Sequence, residues 1–436
     1  MEKFQLVCKS CGQITKDMSV WFANGQKCSS CGGKFVNVKY KAKASKIKEL
    51  IDANKGNSVF DYFDFLPLKD KANIVTSGEG VIPVQHWTFL DQYAKEKFGV
   101  DCKVNVYRND MNPGTGTFKD IAASVAASVL KENGVKQFAI ASTGNIASAF
   151  SYYLAKAGIS LAVFIPQDSL MSNEAEISSY GQKVFRVKGD YAAAKKIAAD
   201  YAEKHNILIS GGNIDPMRVE AKKTMVFEWL RQMDEFPTVY IQALSGGTGP
   251  IAIDKAIEDT KELSLVKQYP RYIMVQPDKC NPMTLGWEKA KANNFPDGWL
   301  TDYPIIDAPV TKVPTLATGN PATFPIIAEL VHKSGGEMVT FDEDKMIDVA
   351  RLVAYKKQVR IGPASTIGLG GFFQSLKQGF IKNGDVVMIN LGEGVRRAPE
   401  FMEEMIYTTE HVSDVSECNP HQIENYEKQL FEAIEK

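Results

Sequence analysis

The chain has 436 residues, 44% hydrophobic and 24% charged, with a formal net charge of −1. That length allows two or three domains with sizeable cores, and the near-neutral balance argues against nucleic acid or an anionic membrane as a partner. No apolar run approaches the roughly 20 residues of a membrane span, and the start, Met1-Glu2-Lys3-Phe4, lacks a secretory apolar core.

The first 40 residues form a unit of their own. Cys8-x-x-Cys11 and Cys28-x-x-Cys31 are separated by sixteen residues, with Gly12 and Gly32-Gly33 just after each pair. Two such knuckles give four thiolates the reach to close around Zn²⁺ in a closed, structural site, the other reading being a ribbon that has lost its metal. A unit this small buries no core of its own, so metal supplies its folding energy, about 10–16 kcal/mol for sites of this type. Residues 1–50 carry ten lysines against three acids; a solvated basic face is the plain reading, contact with RNA the other. Cys102, Cys280 and Cys418 read as isolated buried thiols. Paired cysteines of this kind belong to a reducing compartment, so a cytoplasmic protein is expected. Residues 41–80 read as a helix, Ser45–Ala53, and a connecting segment. Its aromatic cluster of Phe60, Tyr62, Phe63 and Phe65 is expected to pack onto the following domain.

From about residue 81 strands and helices alternate. Expected strands are Lys103–Tyr107, Gln137–Ala141, Leu161–Ile165, Val184–Val187, Ile207–Ser210, Val239–Ala243, Tyr272–Gln276 and Val386–Leu391. Expected helices are Asp120–Asn133, Ala147–Ala157, Tyr191–His205, Glu220–Met233 and Ile251–Leu263. This alternation predicts an α/β protein with parallel sheets covered on both faces by helices, and the strand count predicts more than one sheet. The tail from Gln422 to Lys436 reads as an amphipathic helix for docking or oligomer contact. A homo-oligomer, a dimer, is expected.

The chemistry concentrates in four loops. Asn112-Pro113-Gly114-Thr115-Gly116-Thr117-Phe118-Lys119-Asp120 sets a lysine at the exit of a glycine- and threonine-rich turn, where an alanine-rich helix begins. Such a turn brings backbone N–H groups and a positive helix end close to a ligand. A desolvated lysine near these groups has a lowered amine pKa and becomes a usable nucleophile or base, as a Schiff-base lysine for pyridoxal phosphate requires. Ser142-Thr143-Gly144-Asn145 ends a strand and opens a helix; its hydroxyls can bind a carboxylate or only cap the helix, and Asn145 can reach a phenolic oxygen. Ser245-Gly246-Gly247-Thr248-Gly249 follows another strand and is dense enough in glycine for amides to converge on a phosphate. It is neither a Walker loop nor a full dinucleotide fingerprint. In Asn390-Leu391-Gly392-Glu393-Gly394 a polar group can face a pyridine nitrogen. None of the five histidines lies in these loops, which leaves proton transfer to Lys119.

These segments, in this order, closely resemble the threonine synthase family of pyridoxal-phosphate enzymes, in the fold group of tryptophan synthase β. The likeness covers roughly residues 80–400. Its further anchors are Pro216-x-Arg218-x-Glu220 with Lys223-Thr224, Thr318-Gly319-Asn320-Pro321, Gly362-Pro363-Ala364-Ser365, and Gly392-x-Gly394 with Arg396. The resemblance implies two parallel-sheet, three-layer αβα domains plus the ribbon. The divisions are 1–40 (zinc ribbon), 41–80 (connection), 81–135 with 231–400 (large cofactor-binding domain), 136–230 (small domain) and 401–436 (helical tail). It implies that Lys119 bonds the cofactor aldehyde, Asn145 its 3′-oxygen, and Gly246, Gly247, Thr248 and Gly249 its phosphate. Ser142 and Thr143 would hold the substrate carboxylate, and Arg218 the phosphate of an O-phospho-amino acid. The implied reaction is phosphate elimination with addition of a nucleophile, O-phosphohomoserine and water giving threonine. The chain departs from the family at Ile121, where an arginine is usual, and at Gly212-Asn213-Ile214-Asp215-Pro216, where Asp215 would repel a phosphate unless paired or turned away. Leu391 occupies the place of the hydroxyl that meets the pyridine nitrogen, leaving Asn390 or Glu393 for that role. Gln242-Ala243, Gly211-Gly212 and the ribbon are also similar to cysteate synthase, which joins sulfite to O-phosphoserine.

Overall fold

The computed structural model describes residues 2–436 except 143, 168, 170, 267, 407, 408, 419, 421 and 422. Three sheets organise it. The ribbon contributes β1 (Phe4–Cys8), β2 (Ile14–Thr15) and β3 (Val36–Tyr40), antiparallel in the order β2-β1-β3. The body then adds β4 (Val84–His86), β5 (Lys103–Tyr107), β6 (Gln137–Ala141), β7 (Ser160–Pro166), β8 (Lys183–Val187) and β9 (Leu208–Ile209). It closes with β10 (Val239–Ala243), β11 (Arg271–Pro277), β12 (Glu337–Phe341) and β13 (Val386–Asn390). The large sheet runs β12-β11-β10-β13-β5-β4, parallel except for β4 against β5, and the small sheet runs β8-β7-β6-β9, all parallel.

Strand side chains alternate between two cores, as the two-residue period of a strand requires. Val239 and Ile241, Ile273 and Val275, and Val387 and Ile389 face one core. It also takes Leu90, Val349 and Phe372 from the helices Thr88–Phe98, Met346–Lys357 and Pro363–Lys377. Tyr240, Tyr272, Met274 and Met388 face the other core, with Val125, Phe227 and Ile253 from the helices Lys119–Glu132, Thr224–Gln232 and Thr248–Thr260. This is the expected three-layer arrangement. Helix Lys119–Glu132 is buried at every position from Asp120 to Leu130, which an apolar, alanine-rich sequence without a polar stripe can satisfy only at the centre of the molecule.

Several expected elements differ in extent. The single helix expected over Glu220–Met233 is divided at Lys223 into Pro216–Lys222 and Thr224–Gln232. It starts earlier because Pro216 occupies the first turn and Asp215 caps it, accepting from Met217 N at 2.9 Å. The strand expected over Ile207–Ser210 shrinks to β9. Strands β4 and β12 were not expected. Cys102 and Cys280 are buried, but Cys418 is exposed, so the third isolated thiol is a surface group.

The aromatic cluster packs as expected: Tyr62 and Phe65 lie 5.1 and 6.3 Å from the ring of Phe227, and the Tyr62 hydroxyl donates to Glu228 at 2.7 Å. The ribbon does bury a core, contrary to expectation, because it shares one with the body: Phe4, Leu6, Trp21 and Val38 join the cluster that holds Phe227. The tail helix, Tyr426–Glu435, turns its apolar face inward. Leu430 and Ile434 are buried, and Phe431 stacks on Tyr93 at 4.5 Å; of its expected span Gln422 lies outside the described residues, and the helix starts only at Tyr426.

Candidate active site and metal centre

The strand ends Ala141 (β6), Ala243 (β10) and Asn390 (β13) converge on one cavity of about 590 Å³. Carboxyl ends of parallel strands are where α/β folds place ligands, because helix N-termini and loops gather there. Lys119, Ser142, Asn145, Arg218, Gly246, Gly247, Thr248, Asn390 and Glu393 all line it. Thr143 lies outside the described residues. Gly249 is set back from the wall in the first turn of helix Thr248–Thr260, against Gln242. Among the described lining residues five are basic (Lys34, Lys119, Lys195, Arg218 and Lys222), and Glu393 is the one acid.

Lys119 is positioned by the residue that follows it. Asp120 is fully buried; its carboxylate accepts from Thr115 N at 2.8 Å and from the Thr115 hydroxyl at 2.6 Å. That clamp folds the Gly-Thr turn back onto the helix start and fixes the direction of the lysine. Burial raises the Asp120 carboxyl to about 6, opposed by the Thr115 bonds. The Lys119 amine lies 3.6 Å from the centroid of Phe118. Burial first, and then the Arg218 guanidinium, lower it to about 7, with Glu393 pulling the other way. A lysine of this kind is largely a free amine just above neutrality.

Asn145 is oriented by a group that no motif marks. Arg397, buried beneath it, donates from Nε to Asn145 Oδ1 at 3.2 Å and from Nη2 to Ser148 Oγ at 2.7 Å. A guanidinium only donates, so the amide must turn its Nδ2 the other way, where it donates to Glu393. Glu393 Oε1 accepts from Ala364 N at 2.8 Å, and burial raises its carboxyl above the usual range. Asn390 Oδ1 accepts from Asn109 at 2.6 Å, while its Nδ2 is buried with no partner among the described residues. Leu391 is fully buried in an apolar cluster. Ser142 Oγ accepts from Gly144 N at 3.2 Å, a local turn bond that leaves the hydroxyl on the cavity wall.

The glycine loop is shaped for close approach. Gly247 has φ +79°, and a Cβ there would fall 2.4 Å from Ile327 Cδ1; one on Gly246 would fall 1.7 Å from Asn213 Nδ2. The loop leads into helix Thr248–Thr260 with no side-chain cap, so its first N–H groups are left for a ligand. Asp215 is not among the cavity's lining residues, and its two carboxylate oxygens accept from Gly211 N and Met217 N, but its charge still acts on Arg218, opposing the lowering that burial imposes on the guanidinium. Arg218 is buried with no partner for Nε among the described residues. A buried lysine at the strand ends, an anchored amide and a close-packed glycine loop at an uncapped helix start fit an aldehyde-bearing phosphate cofactor.

The comparisons with known proteins agree. The profile of the family described as "Pyridoxal-phosphate dependent enzyme" matches residues 75–392, and the chain belongs to that family. Its relatives include the threonine synthases of Methanocaldococcus jannaschii, 26% identical over 370 residues (84% of this chain, 87% of that protein), and of Halalkalibacterium halodurans, 28% identical over 338 residues (77% and 88%). The resemblance to threonine synthases therefore holds over most of the chain. Among solved structures, diaminopropionate ammonia lyase from Escherichia coli aligns with a TM-score of 0.60 at 15% identity (83% of this chain, 91% of that one). Threonine deaminase isoform 2 from Solanum lycopersicum aligns at 0.59 and 16% (84% and 90%). These share the fold.

At the ribbon, Cys8, Cys11, Cys28 and Cys31 place their sulfurs within 4.8 Å of one another, with Cys8–Cys31 and Cys11–Cys28 at 3.6 Å. A tetrahedron with Zn–S of about 2.3 Å has edges of roughly 3.8 Å, so the four thiols fit zinc. They can hold a metal with no position left open to substrate.

Three outcomes are expected. The rate at which cofactor-free protein takes up pyridoxal phosphate should rise with pH through about 7, the value to which the Lys119 amine is lowered, because only the free amine attacks an aldehyde. Lys119→Ala should remove the visible absorbance of the lysine-bound cofactor altogether. Metal analysis should find one zinc per chain, lost in Cys28→Ser, with a lower unfolding temperature after chelation because the ribbon's share of the core loosens.

Proposed function

We propose that the chain is a pyridoxal-phosphate enzyme of the threonine synthase type, removing phosphate from O-phosphohomoserine and adding water to give threonine. The observation that carries this reading is Arg218: a buried guanidinium with no partner for Nε among the described residues, lining the same cavity as a lysine lowered to about 7, while both oxygens of Asp215 accept from backbone N–H groups. An anion belongs beside it. Threonine synthases as the named relatives support the same substrate.

Lys119, Asn145 and the amides of Gly246–Gly249 would hold the cofactor. Bound there, it supplies an electron sink next to the substrate's Cα. Lys119 carries the proton off Cα and returns it, since it is the free amine in reach. Ser142, with Thr143, holds the substrate carboxylate and so fixes which bond at Cα faces Lys119. Lys119 would also move a proton from Cβ that ends on Cγ, once the phosphate has departed from Cγ with the C–O electron pair toward Arg218; the water oxygen then bonds to Cβ, and the proton it gives up leaves with the phosphate. Asn390, with its Nδ2 free, is the better candidate for the ring nitrogen than Glu393, whose oxygens are both occupied. As a donor it would leave that nitrogen unprotonated.

Phosphate release should be fast with O-phosphohomoserine and should not require sulfite; release only from O-phosphoserine with sulfite would move the assignment to cysteate synthesis. Arg218→Ala should raise KM for the phosphorylated substrate roughly 30-fold or more, the cost of losing one side of a buried charge pair. Binding of unphosphorylated amino acids should change little.

A further inference from the structure

Helix Pro216–Lys222 ends beside two consecutive lysines with opposite surroundings. Lys223 is fully buried and neutralised, donating to Glu220 and, at 2.8 Å, to Asp259. Lys222 is as deeply buried, at 1% exposure, yet has no hydrogen bond or ion pair among the described residues. Its ammonium lies 3.8 Å from the centroid of Phe118, the same ring that Lys119 covers at 3.6 Å. Four residues separate it from Arg218, so both project from one face of the helix, and both line the cavity.

A buried ammonium without a counter-ion costs several kcal/mol, and like charges gathered on one wall add to that. Burial, and then Lys119 and Arg218, push the Lys222 amine well below its ordinary range. A doubly charged anion removes both penalties at once. The glycine loop offers backbone amides for the cofactor's phosphate at a different place, the start of helix Thr248–Thr260, so this pair of cations is left for a second phosphate. We propose that Lys222 joins Arg218 in a two-cation receptor for the phosphoryl dianion of the substrate, a proposal that rests on the elimination reaction above. The receptor would select a side chain bearing two negative charges over a carboxylate or a neutral ester, and Lys222, beside Lys119, would be the cation nearest the reacting carbons.

The test uses full-length protein loaded with pyridoxal phosphate and inorganic phosphate as the probe, followed by calorimetry. Lys222→Met and Lys222→Gln should each weaken phosphate binding roughly tenfold or more, Lys222→Arg should largely restore it, and affinity for pyridoxal phosphate should stay within about twofold. Phosphate binding unchanged in both variants would overturn the proposal. So would a loss of cofactor affinity with phosphate binding intact, which would assign Lys222 to the cofactor's own phosphate. Failure of the wild type to acquire a visible cofactor band would instead defeat the proposed function, and the phosphate titration on unloaded chain would still decide whether Lys222 binds an anion.

Discussion

Holding amines and a guanidinium together, away from water and with few carboxylates to balance them, is the constraint on which this molecule turns. The fold meets it by matching the lysines behind the wall to carboxylates and leaving those that face the cavity without an ion pair among the described residues. Behind the wall, Lys223 and Lys255 are matched by Glu220 and Asp259. In front of it, Lys119, Lys222 and Arg218 line a cavity whose one described acid, Glu393, is already engaged by Asn145 and Ala364, and only Arg218 also feels the charge of Asp215. Unbalanced charge in a low-dielectric pocket is costly, and under the proposed function that cost would become binding energy for an anionic substrate. The clamp of Asp120 on Thr115 and the grip of Arg397 on Asn145 serve the same end, since a charged site does useful chemistry only if its dipoles cannot relax.

Much of the scaffold was legible because buried parallel strands advertise themselves. Lys103–Tyr107, Gln137–Ala141 and Val239–Ala243 are short apolar runs bounded by turn residues, and the sequence reading matched them end to end. The stretch from about 280 to 380 was not legible. Its helix Pro363–Lys377 contains Gly368, Gly370 and Gly371, which read as helix breakers. A Cβ on Gly370 would fall 2.3 Å from Phe341, so tight packing on β12 selects that glycine against local propensity. Tertiary contact overrode the one-dimensional signal there.

At the site the loops were visible but the supports were not. Lys119, Asn145 and Arg218 are marked by their motifs. Arg397 and Asp120 act through partners distant in sequence or folded back on a turn, and Lys222 looks like an ordinary solvent-facing lysine at a helix end. Only its four-residue spacing from Arg218 hinted otherwise. Asp215 illustrates the reverse: a carboxylate that seemed a threat to phosphate is consumed by two backbone amides, which no composition or charge count can foresee.

The ribbon's last strand reaches further than a metal-binding appendage needs to. Tyr40 donates its hydroxyl to Glu220 at 2.9 Å, and Asn37 donates to Glu258 at 3.0 Å; Glu220 lies on the helix that carries Arg218 and Lys222. Stripping away the first forty residues would therefore open a solvent channel onto an ion cluster that is now dry, and the helix above it would lose its footing. The ribbon is a keystone of this enzyme's architecture, and a lineage discarding it would have to rebuild the anion-facing wall from behind.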